Sequence, residues 1–208
     1  MLSFDKKVAF YKNCKPLCKA VFLPALFYIV WDIVFTKKNV WSFNDDFITG
    51  IKLINLPIEE VLFFFVVPYC CVFIYECVRV YFPKIKNTSL GVLIMKFIGI
   101  ALLITAIINH DKDYTFFTFF FNGIFIFFLL NSKSYFSNFN VNAFLLSYLI
   151  ILIPFLIVNG LLTSIPVVLY NNDENLNCRI YSIPFEDIFY GMLLIMMNVA
   201  GYEKLKIK

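Results

Sequence analysis

Histidine occurs once in the chain, at His110. Zinc and haem sites therefore lose their commonest ligand, and neither a metal nor another cofactor is expected. The six cysteines include no C-x-x-C pair, and Cys70 and Cys71 stand inside an apolar segment, where thiols pack as small hydrophobes. Seven glycines make no G-x-G-x-x-G fingerprint, so a dinucleotide-binding loop is not expected. Asp45-Asp46 is the only Asp-Asp pair, whereas a prenyltransferase needs two aspartate-rich sites for magnesium diphosphate. Charge is scarce as well. Asp, Glu, Lys and Arg make up 15% of the chain, against about 25% in soluble domains. What fills the space is apolar: 61% of 208 residues, more than so small a particle can hide from water. The expectation is an all-α, polytopic membrane helix bundle.

Six segments are long enough, or nearly so, to cross a bilayer: residues 18–36, 58–82, 88–109, 114–130, 141–170 and 185–202. The fifth is overlong, and Pro154, Gly160 and Pro166 are expected to bend it or end it early. Lysines crowd both ends of the chain: Lys6, Lys7, Lys12, Lys15 and Lys19 in front, Lys204, Lys206 and Lys208 behind. No folded basic face accompanies them, so a nucleic-acid partner is not expected. Placing the amino terminus in the cytoplasm puts twelve Lys and Arg inside and five outside. The positive-inside rule thus predicts both termini cytoplasmic in a multi-pass protein of the cell (inner) membrane. The first twenty residues hold five lysines and no long apolar core, so a cleavable signal peptide is not expected.

The chain repeats itself. Leu56-Pro57-Ile58-Glu59-Glu60 returns as Ile183-Pro184-Phe185-Glu186-Asp187, and eighteen residues beyond each proline stands a Tyr-Glu pair, Tyr75-Glu76 and Tyr202-Glu203. Upstream, Pro24 precedes Trp31-Asp32 and Thr36, as Pro154 precedes Asn159-Gly160 and Thr163, which sets Gly160 opposite Asp32. The loop Trp41-Ser42-Phe43-Asn44-Asp45 has a loose echo in Tyr170-Asn171-Asn172-Asp173. The orientation assigned above makes the two copies parallel, about an axis along the membrane normal, with both acid pairs at one end of the bundle.

A proline followed by acids is an ordinary helix start, because proline suits the first turn and the acid faces the positive helix end. The second acid is not ordinary, since neighbouring like charges repel. Moreover, 61–75 and 188–202 each hold only fifteen uncharged residues. At about 1.5 Å per residue that is roughly 22 Å, against about 30 Å of hydrocarbon. Some of these carboxyls must lie at depth, where ionisable groups mark function. Glu59, Glu60, Glu186 and Asp187 are therefore the candidate acid/base set, with Glu60 and Asp187, or their neighbours Glu59 and Glu186, expected to share the donor role; the sequence does not separate them. Asp32, beside Trp31, is a candidate helper. Asn122, Asn159 and Asn198 are expected to make interhelical hydrogen bonds, and Glu76 and Glu203 to be solvated anchors at the cytoplasmic end. A retinal Schiff base would need a lysine in the last span, and 185–202 has none.

These residues resemble a known family. Trp31-Asp32-Ile33, Trp41-Ser42-Phe43-Asn44, Leu56-Pro57-Ile58-Glu59-Glu60 with Phe63-Phe64, and Tyr75-Glu76 are similar to the first half of the integral-membrane lycopene cyclases. Asn159-Gly160-Leu161-Leu162-Thr163, Pro166-Val167-Val168, Tyr170-Asn171 and Ile183-Pro184-Phe185-Glu186-Asp187 with Tyr190 are similar to the second half. The resemblance implies a flavin-independent β-cyclase that turns the ψ ends of lycopene into β rings, without net redox change. It adds Trp31, Asn159 and Tyr190 to Asp32 as helpers, and Trp41, Phe63 and Phe64 as substrate-lining residues. The implied division is 1–87 for a first repeat, 88–110 for a linking helix and 111–208 for a second repeat. The family pattern carries a further helix ahead of the segment resembling Ser3-Phe4-Asp5-Lys6-Lys7, which would make seven. Lycopene and other C40 carotenoids, the bilayer, and further copies of the chain or other carotenoid enzymes are the implied partners. The alternative is a membrane protein that binds a carotenoid without changing it.

Overall fold

A computed structural model of the chain describes residues 6–206, so Ser3, Phe4, Asp5 and Lys208 lie outside the described residues. Seven helices follow one another: α1 (Cys14–Lys37), α2 (Ile58–Tyr81), α3 (Ser89–Ile108), α4 (Asp113–Asn131), the single turn α5 (Lys133–Phe136), α6 (Val141–Ser164) and α7 (Phe185–Leu205). Each of the six expected spans corresponds to one long helix, and α5 is the addition. α6 carries Pro154 inside it and stops at Ser164, ahead of Pro166, so the overlong fifth segment does end early. The chain beyond turns into strand β4 (Val168–Tyr170).

Among the described residues, five helices are long and apolar enough to cross a membrane: α1 with the 3-10 turn before it, α2, α3, α4 and α6. α7 is comparable in length but carries Glu186, Asp187, Glu203 and Lys204. It compensates by position. α7 packs against α1, α4 and α2 at the middle of the bundle, and its run from Met192 to Met196 is wholly buried. Helices α3 and α4 make the closest pair, with Gly99 facing Gly123. A Cβ at Gly123 would lie 2.5 Å from Leu103 Cγ and 3.1 Å from the Gly99 carbonyl oxygen. Small residues permit this approach where both helices are flanked by lipid. Gly123→Leu is therefore expected to cost about 1–3 kcal/mol by overpacking, read as a lowered midpoint of thermal unfolding in detergent.

At one end of the bundle the loops form three short antiparallel pairs, a feature outside the all-α expectation. Strands β2 (Lys52–Leu53) and β3 (Leu56–Pro57) make a hairpin before α2, and β5 (Arg179–Ile180) and β6 (Ile183–Pro184) make its twin before α7. Strand β1 (Trp41–Phe43) pairs with β4 across the two halves, in the register Trp41 to Tyr170, Ser42 to Leu169 and Phe43 to Val168. Equivalent residues lie 127 apart, as Pro57 does from Pro184. Under that offset the ladder maps onto itself about the Ser42–Leu169 pair.

The opposite end repeats the relation. Arg79 at the end of α2 bonds Glu203 on α7, while Lys206, just past α7, bonds Glu76 on α2. The two ion pairs cross the interface reciprocally. Glu76 and Glu203 are therefore not the solvated anchors expected: both are buried, because α2 and α7 pack side by side and each carries the other's counter-charge. Acids at one end and crossed ion pairs at the other mean that the two repeats run parallel.

Candidate active site

The paired acids divide the work between them. Each first acid turns back to its own loop: Glu59 Oε1 accepts from the Thr49 N–H at 2.7 Å, and Glu186 Oε1 accepts from the Leu176 N–H at 2.7 Å. Thr49 and Leu176 are equivalent by the same offset, so this is one loop staple built twice. Glu186 is 0% exposed and also accepts from Thr115 Oγ1 of α4 at 2.6 Å. Glu186 is thus buried between α7 and α4 and Glu59 lies at the surface, and neither lines the chamber between the two repeats.

The second acids are about 100° further round each helix, and that turn carries both into a shared chamber. It is an open-mouthed cavity of about 90 Å³. Its polar groups are Glu60, Asp187, Asp32 and Asn159, and its rings include Trp41, Phe63, Phe155 and Tyr190. Asp187 accepts from Tyr170 Oη at 2.8 Å, from Asn159 Nδ2 at 2.6 Å and from Tyr114 Oη. Three neutral donors thus converge on one carboxyl. Burial, with Asp187 adjacent, pushes the Tyr170 phenol well above its ordinary range, so Tyr170 stays a donor. Tyr190 Oη donates to Asp32, and its backbone carbonyl accepts from Tyr28 Oη at 2.9 Å. Glu60 has no side-chain hydrogen bond among the described residues, which leaves it the uncommitted carboxyl of the three.

Of the sequence candidates, Glu60, Asp187, Asp32, Asn159, Tyr190, Trp41 and Phe63 line the chamber. Trp31 and Phe64 do not. Trp31 lies behind Tyr190 among Phe27, Phe35 and Phe121, and Phe64 is buried against Tyr28 and Phe63. The alignment of Asp32 with Gly160 is corrected by a matched pair of bonds. Asn55 donates to the Ile33 carbonyl as Ser182 does to that of Gly160, so the residue opposite Asp32 is Asn159. A carboxyl at that place in one repeat faces an amide in the other. Asn159 makes the expected interhelical bond, to Asp187, while Asn198 bonds the Leu194 carbonyl of its own helix. Asn122 does both, to Thr118 and Phe189.

Sequence reasoning missed Tyr114 and Tyr170 as donors. For Tyr170 a signal existed, since it opens the loop that echoes the one from Trp41 to Asp45. Tyr114 carried none, being the first ring of an ordinary phenylalanine-rich span.

Residues 1–78 and 111–205 match the lycopene cyclase family. A bifunctional lycopene cyclase/phytoene synthase of Aspergillus niger is 31% identical over 72 residues, 32% of this chain and 12% of that protein. Its namesake in Phaeosphaeria nodorum is 38% identical over 47 residues, 23% of this chain and 8% of that protein. The matched stretches thus span about a tenth of those relatives' own length. No solved structure matches the chain. Both acid motifs fall inside the matched segments, and with that coverage the chain belongs to the lycopene cyclase family.

Proposed function

We propose that this protein closes β rings at the ψ ends of lycopene by acid/base isomerisation, needing no flavin. The observation that carries the reading is the unequal dressing of two equivalent acids. Asp187 is held by three donors and suits an anion, because an ionised carboxylate is acceptor only. Glu60 is free of partners and suits the proton donor. In this reading Glu60 protonates C2 of the terminal alkene, leaving a tertiary cation at C1. C6 of the neighbouring double bond attacks C1, and the charge moves to C5. Asp187 accepts the proton lost from C6, giving the ring double bond with no change in redox state. Asp32, steadied by Tyr190, and the faces of Trp41, Phe63 and Phe155 stabilise the travelling positive charge. Exclusion of water protects the cation from capture.

The matched segments support the division into 1–87, 88–110 and 111–208, and the lysine distribution supports cytoplasmic termini in the cell membrane. The phytoene synthase in the relatives' names belongs to those proteins. The test is expression in a host that accumulates lycopene, followed by pigment extraction. Carotenoids with one or two β rings are expected. Lycopene recovered unchanged but bound to the purified protein would instead favour the non-catalytic reading.

A further inference from the structure

The two halves of the chamber follow one plan with different residues. At the repeat offset Glu60 answers to Asp187, Asp32 to Asn159 and Phe43 to Tyr170, and all six line the chamber. In the second half Asn159 donates to Asp187 at 2.6 Å, and Tyr170 does so at 2.8 Å. In the first half the repeat sets a carboxyl, Asp32, where that amide stands, and a phenyl ring, Phe43, where that phenol stands. Asp32 is 2% exposed and close enough to Glu60 for the two carboxyls to repel. Tyr190, reaching across from α7, is its hydrogen-bond donor. The other titratable groups facing Glu60 are Tyr114 of α4, Tyr170 of β4, and Asp187 and Tyr190 of α7. Among the described residues no lysine, arginine or histidine lines the chamber. Two carboxyls side by side away from water hold one proton between them, whereas a carboxyl set among neutral donors gives its proton up.

We propose that Asp32 and Phe43 set the direction of proton travel: they keep the proton on Glu60, while their counterparts Asn159 and Tyr170 keep it off Asp187. Asp32 and Phe43 are then positioning residues that act through Glu60. This rests on the acid/base reading above and deepens it, by naming what makes two equivalent acids take opposite roles. With the proton on Glu60, Asp32 carries the charge that steadies the cation. Each turnover moves one proton from Glu60 to the substrate and one from the substrate to Asp187. The count balances, but the proton ends on the wrong carboxyl, and the same neighbours bias its return.

The test reads protonation directly, by infrared difference spectroscopy of the full chain in lipid vesicles at neutral pH. A carbonyl-stretch band of a protonated carboxyl is expected, assigned to Glu60 by its loss in Glu60→Gln. Asp32→Asn gives Glu60 the amide that Asp187 has and should remove the band. Phe43→Tyr gives it the phenol and should weaken the band. Ring formation from lycopene should fall about tenfold in each, the worth of one hydrogen bond to a charged group. Phe43→Leu fills the place without a hydroxyl and should keep the band; its loss there would overturn the part given to Phe43. Asn159→Asp should do the reverse and add a second band, one abolished by Asp187→Asn. In the exchange of Asp32→Asn with Asn159→Asp, the remaining band should follow Asp187 and not Glu60. A Glu60 band unchanged in both Asp32→Asn and Phe43→Tyr, or no such band in the unaltered chain, would overturn the proposal. An unaltered chain that leaves lycopene intact would sink the cyclase reading instead, while the infrared bands would still decide where the proton is held.

Discussion

Asp187→Asn and Glu60→Gln are each expected to abolish detectable ring formation while the protein continues to insert and accumulate. A positioned acid or base contributes about 10²–10⁴-fold, and here the two substitutions remove different halves of one proton circuit. Asp187→Asn keeps the volume; its one amide oxygen can still accept from Tyr170 and Asn159, and its NH2 can donate to Tyr114 Oη once that hydroxyl turns, so the fold should tolerate it. Glu60→Gln disturbs no described hydrogen bond. Glu186→Gln separates chemistry from structure. Leu176 N–H and Thr115 Oγ1 both bond Oε1, which the glutamine amide oxygen can replace, so the loop should hold and ring formation should survive. The readout is pigment composition in a lycopene-accumulating host, normalised to immunodetected protein in the membrane fraction. Full activity in both Asp187→Asn and Glu60→Gln would remove the acid/base assignment.

The second large effect lies at the far end of the bundle. Glu203→Gln leaves the partly buried guanidinium of Arg79 without its partner, and Glu76→Gln does the same to Lys206. Losing one member of a fully buried ion pair costs about 3–5 kcal/mol. With the cations here about a quarter to a third exposed, the expected loss is smaller, about 1–3 kcal/mol. Thermal unfolding in detergent measures it. The exchange Arg79→Glu with Glu203→Arg should recover most of the loss, because the crossing geometry needs opposite charges and not a fixed order. Additive losses in a double-mutant cycle of Arg79 with Glu203 would show that the bridge adds nothing.

Helix positions were legible because each depends on local chemistry. Pro57 and Pro184 mark two helix starts, Pro166 falls just past the end of α6, and the long apolar runs mark the rest. The repeat and its parallel sense were legible from recurring motifs. The division of labour within each acid pair was not. Glu59 and Glu60 are adjacent letters, and only the turn of α2 sends one to Thr49 and the other into the chamber. The one-residue misplacement of Asp32 against Gly160 has a similar cause: in an apolar helix little besides a matched hydrogen bond fixes the register. Partners distant in sequence were equally hidden. Glu203 is 124 residues from Arg79 and Glu76 is 130 from Lys206, and acids near a helix end look alike whether solvated or paired.

The β1–β4 ladder has a further consequence. A two-strand pair that is its own image under rotation is the signature of an isologous contact, the kind two identical subunits make. One half of this molecule meeting a duplicate of itself would satisfy the same strand register and the same crossed charges. Such a dimer would face two glutamates across its seam with two aspartates behind them, and would have no amide in that set. What distinguishes the joined chain is that its halves were free to diverge, so that one carboxyl could gather three donors while its counterpart kept none.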